Sequence, residues 1–418
     1  VTERLLAVEL YGMRLGVVTG DDRRFDFESE RGAIESFGLG STVLSESVPL
    51  TVVTRPAGWK RRQNYFIELL PEGEQREWLA AEAGLRPWQH LSLLAAFGRD
   101  VAGAVQLWDL HDPGEPRTPR LRPLDDSGVA EVLRNRRAMP LGNVPGGGKS
   151  SLVGVQPKVV LARARGTWNG VEDGYPSTHI LKPIPEGHPA LIFNEEYGSR
   201  LARALGLLDY EVVLTDFAGE TALVIERYDR DAALPDGRLH QEDMNQALGA
   251  QGNEKYQRLG GKVTLRRIAQ VFSSRGDADS LTRLARLVAL SVATGNLDAH
   301  AKNVSMIHRP DGRVTLAPAY DIVPQAHESN DGEMALAVND RYLHAAITAE
   351  DLISEVKGWG VVDARAIVLD ALDRVARAVE TLEPDPRAHP GVAEDVAEFT
   401  RNLLRGDPAG RAASAARR

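Results

Sequence analysis

GNLDAHAKN at 295–303, followed by a short hairpin pattern and by PAYDIVP at 318–324, decides how this chain is read. Upstream, Leu281, Leu284, Leu287 and Val288 repeat at the helical period, so a helix is expected to end near Gly295. Residues 304–317 alternate around Pro310-Asp311-Gly312, which predicts a hairpin. Asp298 and Asn303 then stand five apart on a loop leaving a helix, and Asp321 returns after one hairpin. This spacing suits phosphoryl transfer. Asp298 can orient a substrate hydroxyl or accept its proton. Asn303 can hold a metal ion through its amide oxygen, and Asp321 can bind Mg2+ bridging phosphates. Protein kinases divide the labour in this way, with the same Asp-to-Asn spacing. Taken alone, Asp-x-x-x-x-Asn equally describes a turn that caps a helix. The helix before it and the Tyr-Asp-Ile between prolines after it favour the chemistry. His300 is expected to brace the loop, since a neutral imidazole offers one donor and one acceptor. A base or a metal ligand is the alternative.

Further upstream lies VPGGGKSS at 144–151, continuing as KSSLVGVQPK to 158. Backbone N–H groups of a Gly-rich loop can cradle phosphates. The nucleotide-binding pattern G-x-x-x-x-G-K-S fails here, because position 143 is Asn143 and β-like residues follow the loop. A Gly-rich flap over a nucleotide and a flexible linker both remain open. Lys182, in THILKPI, sits on a β-like run where a lysine could meet phosphates. Glu195 and Glu196 are either its ion-pair partners or favourable charges at a helix N-terminus. ERYDR at 226–230 would connect two lobes, or simply end a strand.

Around these motifs the pattern is mixed. Residues 4–18 alternate and break at Gly20, which predicts a strand pair, and 23–56 continue in β-like pieces. From Asn64 the pattern turns helical. Residues 112–126 hold four prolines and read as an extended connector outside the core. A short helix is expected over 129–137, strands at 159–164 and 179–183 around a polar turn at 166–174, a helix over 194–206, and strands at 210–214 and 222–227. Beyond 240 helices dominate, including one over 350–381.

Composition narrows the classes. The chain has 418 residues and a net charge of −9, which argues against a dominant nucleic-acid-binding surface. Cysteine is absent, excluding disulfides, thiolate metal sites and cysteine nucleophiles. Only 8 of the 50 basic residues are lysine, so each lysine in a Gly-rich or strand context stands out. No apolar run approaches the roughly 18–20 residues of a membrane span, and a cytoplasmic chain without a signal peptide is expected.

Together the motifs resemble the HipA family, the serine/threonine kinase toxins of bacterial toxin–antitoxin pairs. YGMRLG, LLPEGEQREWLA, FGRDVAGAVQ, SLVGVQPK, THILKP, NEEYGSRLARALGL, LVIERYDR, LHQEDMNQALG, GNLDAHAKNVSM and APAYDIVP occur in the family's order from residue 11 to about 324. The resemblance implies an α+β fold, with a bilobed protein-kinase-like body and an N-terminal α/β subdomain. The segments would be 1–125 for that subdomain, 126–235 for the small lobe, 236–385 for the helical lobe, and 386–418 for a helix and a disordered tail. It implies ATP- and Mg2+-dependent phosphorylation of a protein serine or threonine. Asp298 matches the catalytic residue, and Asn303 and Asp321 the metal-binding residues. Val153, Gly154, Val155, Gln156, Lys158, Lys182, Glu226, Arg227, Tyr228, His300, Lys302 and Asp321 match the nucleotide-binding set. Ser151 matches the serine that family members autophosphorylate, and the adjacent Ser150 could serve instead. Phosphate there places nearly two charges where those of ATP must sit. The implied partners are a HipB-like helix-turn-helix antitoxin, DNA only through that antitoxin, and a protein substrate such as an aminoacyl-tRNA synthetase. Two departures matter. Pro157 removes a backbone donor from the loop, and the three-glycine run predicts an unusually mobile flap. A small-molecule or lipid kinase, and an antitoxin-dependent transcriptional corepressor, are the rival readings.

Overall fold

Alternation in the first twenty residues becomes the antiparallel hairpin Arg4–Leu10 and Met13–Gly20. Tyr11 and Gly12 close it at φ 54° and 74°, the two-residue turn whose positive φ values match strand twist. In the computed structural model, which describes residues 3–144 and 146–410, this hairpin is the centre of a four-stranded antiparallel sheet. Its strand order is Phe25–Ser29, Met13–Gly20, Arg4–Leu10, Gln106–Asp109. Leu6, Val8, Leu10 and Leu15 share one buried cluster with Tyr65, Phe66, Leu79, Leu91 and Leu94 from three helices, Trp59–Ile67, Gly73–Glu82 and His90–Phe97.

The β-like reading of 23–56 holds only for Phe25–Ser29, since Arg31–Phe37 is a helix. That helix has two turns and buries only Ala33, too short for its periodicity to register in the sequence.

A second sheet has six antiparallel strands. Their order is Arg120–Leu124, Thr167–Glu172, Val159–Ala164, His179–Pro183, Glu220–Glu226, Val212–Phe217. Two expectations are corrected here. The proline-rich connector ends as an edge strand, where Pro123 costs no interior ladder bond. The polar turn at 166–174 is mostly the strand Thr167–Glu172. The actual turn is Arg165-Gly166, at φ 50° and 80°. Leu133, Val159, Leu161, Leu181, Phe217 and Val224 form the core between this sheet and the helix Asp126–Arg134, three residues earlier than expected at each end.

These sheets belong to one compact unit, residues 1–183, 210–252 and 307–314; a second comprises 184–209, 253–306 and 315–418. The second is mainly helical. Ala278–Thr294 packs against Ala364–Val379 and Val392–Arg405. The single helix expected over 350–381 is two, Ala349–Lys357 and Ala364–Val379, with Gly360 at φ 89° between them. The helix expected over 194–206 spans Leu191–Ala204. The expected tail disorder falls mainly on 411–418, outside the described residues. Ala409 is placed, its N–H donating to Ile347 O at 2.8 Å. Among the described residues no helix is long and apolar enough to cross a membrane.

Candidate active site

The helix Ala278–Thr294 stops where Gly295 turns left-handed at φ 61°. A Cβ there would meet the Ala326 Cβ at 2.7 Å, so the end is fixed by backbone freedom and crowding together. The loop that follows bonds to itself. Asp298 O accepts from His300 N at 2.7 Å and from Asn303 Nδ2 at 2.9 Å. Asn303 N donates to His300 O at 2.9 Å. The Asn303 amide thus spends its N–H on the loop, which leaves its oxygen as the atom for a cation.

The Asp298 side chain is 49% exposed. Its Oδ1 accepts from Tyr256 OH at 2.9 Å, and its Oδ2 lies 3.9 Å from His300 Nε2. His300 is buried, with its ring edge-on to Tyr256. Burial pushes its pKa down, Asp298 opposes this, Lys255 adds to it and Asp321 opposes it again. The ring is neutral at pH 7, as bracing requires. Its Nδ1 is buried and has no hydrogen-bond partner among the described residues.

Asp321 sits in the left-handed region at φ 58°, a conformation Asp tolerates better than most side chains. Contacts of Asp321 and of its two neighbours fix this stretch. Asn296 Nδ2 donates to Asp321 O at 3.4 Å. Tyr320 OH donates to Lys302 O at 2.7 Å and shares a 2.6 Å bond with Ser305 Oγ. Gly198 lets the helix Leu191–Ala204 approach so closely that a Cβ would lie 2.0 Å from Ile322 O. Asp298, His300, Lys302, Asn303 and Asp321 therefore belong to one interlocked segment of the second unit. Below it, Leu287, Val288, Ile322 and Leu336 line an apolar pocket reaching Asn296 and Asn303. Tyr256 and Lys255 escaped the sequence reading. Tyr256 lies 42 residues before the Asp it binds, and no local pattern marks it.

The other expected residues, Glu195 and Glu196 excepted, lie in the first unit. The described residues of the glycine-rich loop are hydrogen-bonded to their surroundings. Asn143 brackets Ser150, donating to its O at 2.9 Å and accepting from its N at 3.0 Å. A Cβ on Gly148 would collide with Asn143 at 2.3 Å, so this glycine makes room for a clamp. Ser150 Oγ donates to Asp100 Oδ2 at 3.2 Å, and Ser151 Oγ to Leu69 O at 2.9 Å. Both serines are buried. Lys158 Nζ reaches back to Val153 O at 2.6 Å, closing the turn over Gly154, Val155 and Gln156. Lys182 is buried on the strand His179–Pro183, paired with Leu223. Arg227 N donates to Thr178 O at 2.9 Å, while its side chain joins a buried ion cluster. Tyr228 OH bonds Gln241, and Glu226 is exposed at the strand end. Glu195 and Glu196 are not at a helix N-terminus, since the helix starts at Leu191. Glu196 pairs with Arg200 one turn on, at 2.9 Å.

Comparison with known proteins agrees with this architecture. The HipA N-terminal domain model matches residues 6–108, and the HipA-like C-terminal domain model matches residues 150–382. A Sinorhizobium fredii protein named as a kinase, Y4mE, is 33% identical over 82% of this chain and 83% of its own length. The serine/threonine-protein kinase toxin HipA of Shewanella oneidensis is 28% identical over 90% of this chain and 88% of its own. A solved complex of Shewanella oneidensis HipA with HipB and operator DNA superimposes with a TM-score of 0.74 at 26% identity, covering 96% of both chains. The fold is α+β and kinase-like, and the relatives named as kinases place the chain among kinases. The chain belongs to the HipA family.

Proposed function

We propose that this chain transfers the γ-phosphate of ATP to a serine or threonine hydroxyl of a protein, with Asp298 at the reacting centre. The half-exposed Asp298 carboxylate, held by Tyr256 on a loop that Asn303 ties to itself, carries this reading. A nucleophile's proton must be met by an accessible carboxylate fixed in orientation, and Asp298 alone on this loop has both properties. Asn303 Oδ1 and the Asp321 carboxylate are hard oxygen donors suited to Mg2+. Mg2+ held there would neutralise phosphate charge. The buried Nδ1 of His300 and the cationic Lys302 and Lys182 are the remaining groups for the nucleotide. Val153 to Lys158 serve as the phosphate loop, and backbone groups of Glu226 to Tyr228 face the base.

Ser151, or Ser150 beside it, is the autophosphorylation site. Both hydroxyls are hydrogen-bonded and buried, so modification requires the loop to leave its seat and strands a dianion that cannot return beside Asp100. A HipB-like antitoxin is the proposed neutralising partner, supported by the Shewanella oneidensis HipA, HipB and operator DNA assembly.

Incubation with labelled ATP and Mg2+, followed by phosphosite mapping, tests the proposal. Label on Ser150 or Ser151 is expected, absent from Asp298→Ala. Label retained in that variant would remove Asp298 from the chemistry. Label found only on an added lipid or small molecule would replace the protein substrate.

A further inference from the structure

Three side chains of the second unit, outside the site described above, converge without an assigned role. His327 lies six residues beyond Asp321, His389 lies in the connection before the last helix, and Asp395 lies in the first turn of that helix, Val392–Arg405. One donor atom from each comes within 4.8 Å of the others. The two imidazoles stack with centroids 3.7 Å apart and planes 6° from parallel. We propose that His327, His389 and Asp395 bind a divalent transition-metal ion of the zinc class.

Donor chemistry selects that class. Two imidazoles and one carboxylate suit Zn2+, Co2+ or Ni2+, whereas Mg2+ prefers oxygen alone. Tetrahedral zinc places its donors about 3.3 Å apart, so the observed spread closes by side-chain rotation. Three protein ligands leave the fourth position to water.

The surroundings hold the ligands in place. The buried Asn194 side chain accepts from His389 N at 2.9 Å, which fixes the backbone that carries that histidine. The Glu328 carboxylate is 3.7 Å from His327 Nε2, where it can orient the ring through the nitrogen that does not bind metal. Gly391 leaves open the space beside His389 Nε2 and Asp395 Oδ2, which would lie 3.6 and 4.0 Å from a Cβ there. A bound ion would tie the segment following Asp321 to the last helix.

The test uses the untagged full chain, with excess Mg2+ to occupy hard-oxygen sites. Zn2+ is titrated calorimetrically and bound metal is counted after dialysis; Co2+ provides the visible spectrum of a nitrogen–oxygen site. One equivalent of Zn2+ is expected, with a raised thermal midpoint. His389→Gln and the isosteric Asp395→Asn should each weaken binding by about 100-fold or more, given that even outer-shell changes cost 10–100-fold. Asp321→Asn should bind Zn2+ unchanged, which separates this site from the proposed nucleotide–metal site. Absence of a bound equivalent in the folded wild type, or wild-type affinity in both ligand variants, overturns the proposal. The wild-type titration decides the matter even if a variant fails to fold.

Discussion

Asp100 and Asp298 are both aspartates beside residues read as functional, and the protein treats them in opposite ways. Asp100 is fully buried. It meets Arg230 at 2.8 Å and Arg238 at 3.0 Å, with Arg227 at 3.7 Å, and accepts from Ser150 Oγ and Ser177 N. Burial alone would raise its pKa, yet Arg227, Arg230 and Arg238 hold it below the ordinary carboxylate range. Asp298 is half exposed and accepts a side-chain bond from Tyr256. A buried charge has to be saturated by partners; a charge meant for a substrate has to be left accessible, with rigidity supplied by the backbone around it. The first holds the loop of Ser150 in place, and the second offers an acceptor.

The largest effect that separates them is catalytic. Asp298→Ala should lower phosphate transfer about 10,000-fold, or about 5.5 kcal/mol of activation free energy, and leave the unfolding midpoint nearly unchanged. Kinase assays paired with thermal unfolding check both halves. A large stability loss in this variant would break the contrast. Asp100→Ala should do the reverse, since it leaves arginines uncompensated in the interior at a cost of about 3–5 kcal/mol. Denaturant titration measures it, and a stable Asp100→Ala protein would show that the cluster is not a structural hub.

Protonation sharpens the comparison. His240 is buried in the first unit, its Nε2 2.7 Å from Leu44 O and its Nδ1 3.4 Å from Ala104 N. Burial pushes its pKa down to about 3, with His308 adding to the effect. The unfolded chain binds that proton near pH 6.5. Stability from this histidine is therefore full above about pH 6.5 and is lost as pH falls towards about 3. Asp100 acts lower: its contribution is complete above about pH 4 and disappears only on further acidification. His240→Gln should flatten the dependence of unfolding free energy on pH by up to about 1.4 kcal/mol per unit between these limits. Urea titrations at a series of pH values measure the slope, and an unchanged slope would mean that His240 is not held neutral.

The sequence exposed these two regions unequally. Asp298, Asn303 and Asp321 were legible because their spacing is local: a helix, a loop and one hairpin set their order. The helix end at Gly295 was legible for the same reason. Asp100 and its arginines were not, because the cluster joins residues more than 120 positions apart and no period links them. Tyr256 was hidden likewise. The glycine run was read from composition alone. Three glycines suggest freedom, but freedom also permits close approach, and Gly148 uses it to admit the Asn143 clamp. The strand at 120–124 was masked by its proline and arginines, which an edge strand tolerates and an interior strand would not.

The smallest effects concern the two serines, and they test how far the influence of Asp100 reaches. Ser150 donates to a charged acceptor and Ser151 to the neutral Leu69 carbonyl. Hydrogen bonds to charged groups contribute about 1.5–3 kcal/mol and neutral ones about 1 kcal/mol. Ser150→Ala should therefore cost more stability than Ser151→Ala, measured by denaturant titration of the two variants without nucleotide. The two arginine bonds of Asp100 place Ser150→Ala at the lower end of its range. Equal losses would mean that the arginines alone saturate Asp100. The order of the two losses thus reports whether the loop is held by charge or only by the shape of its seat.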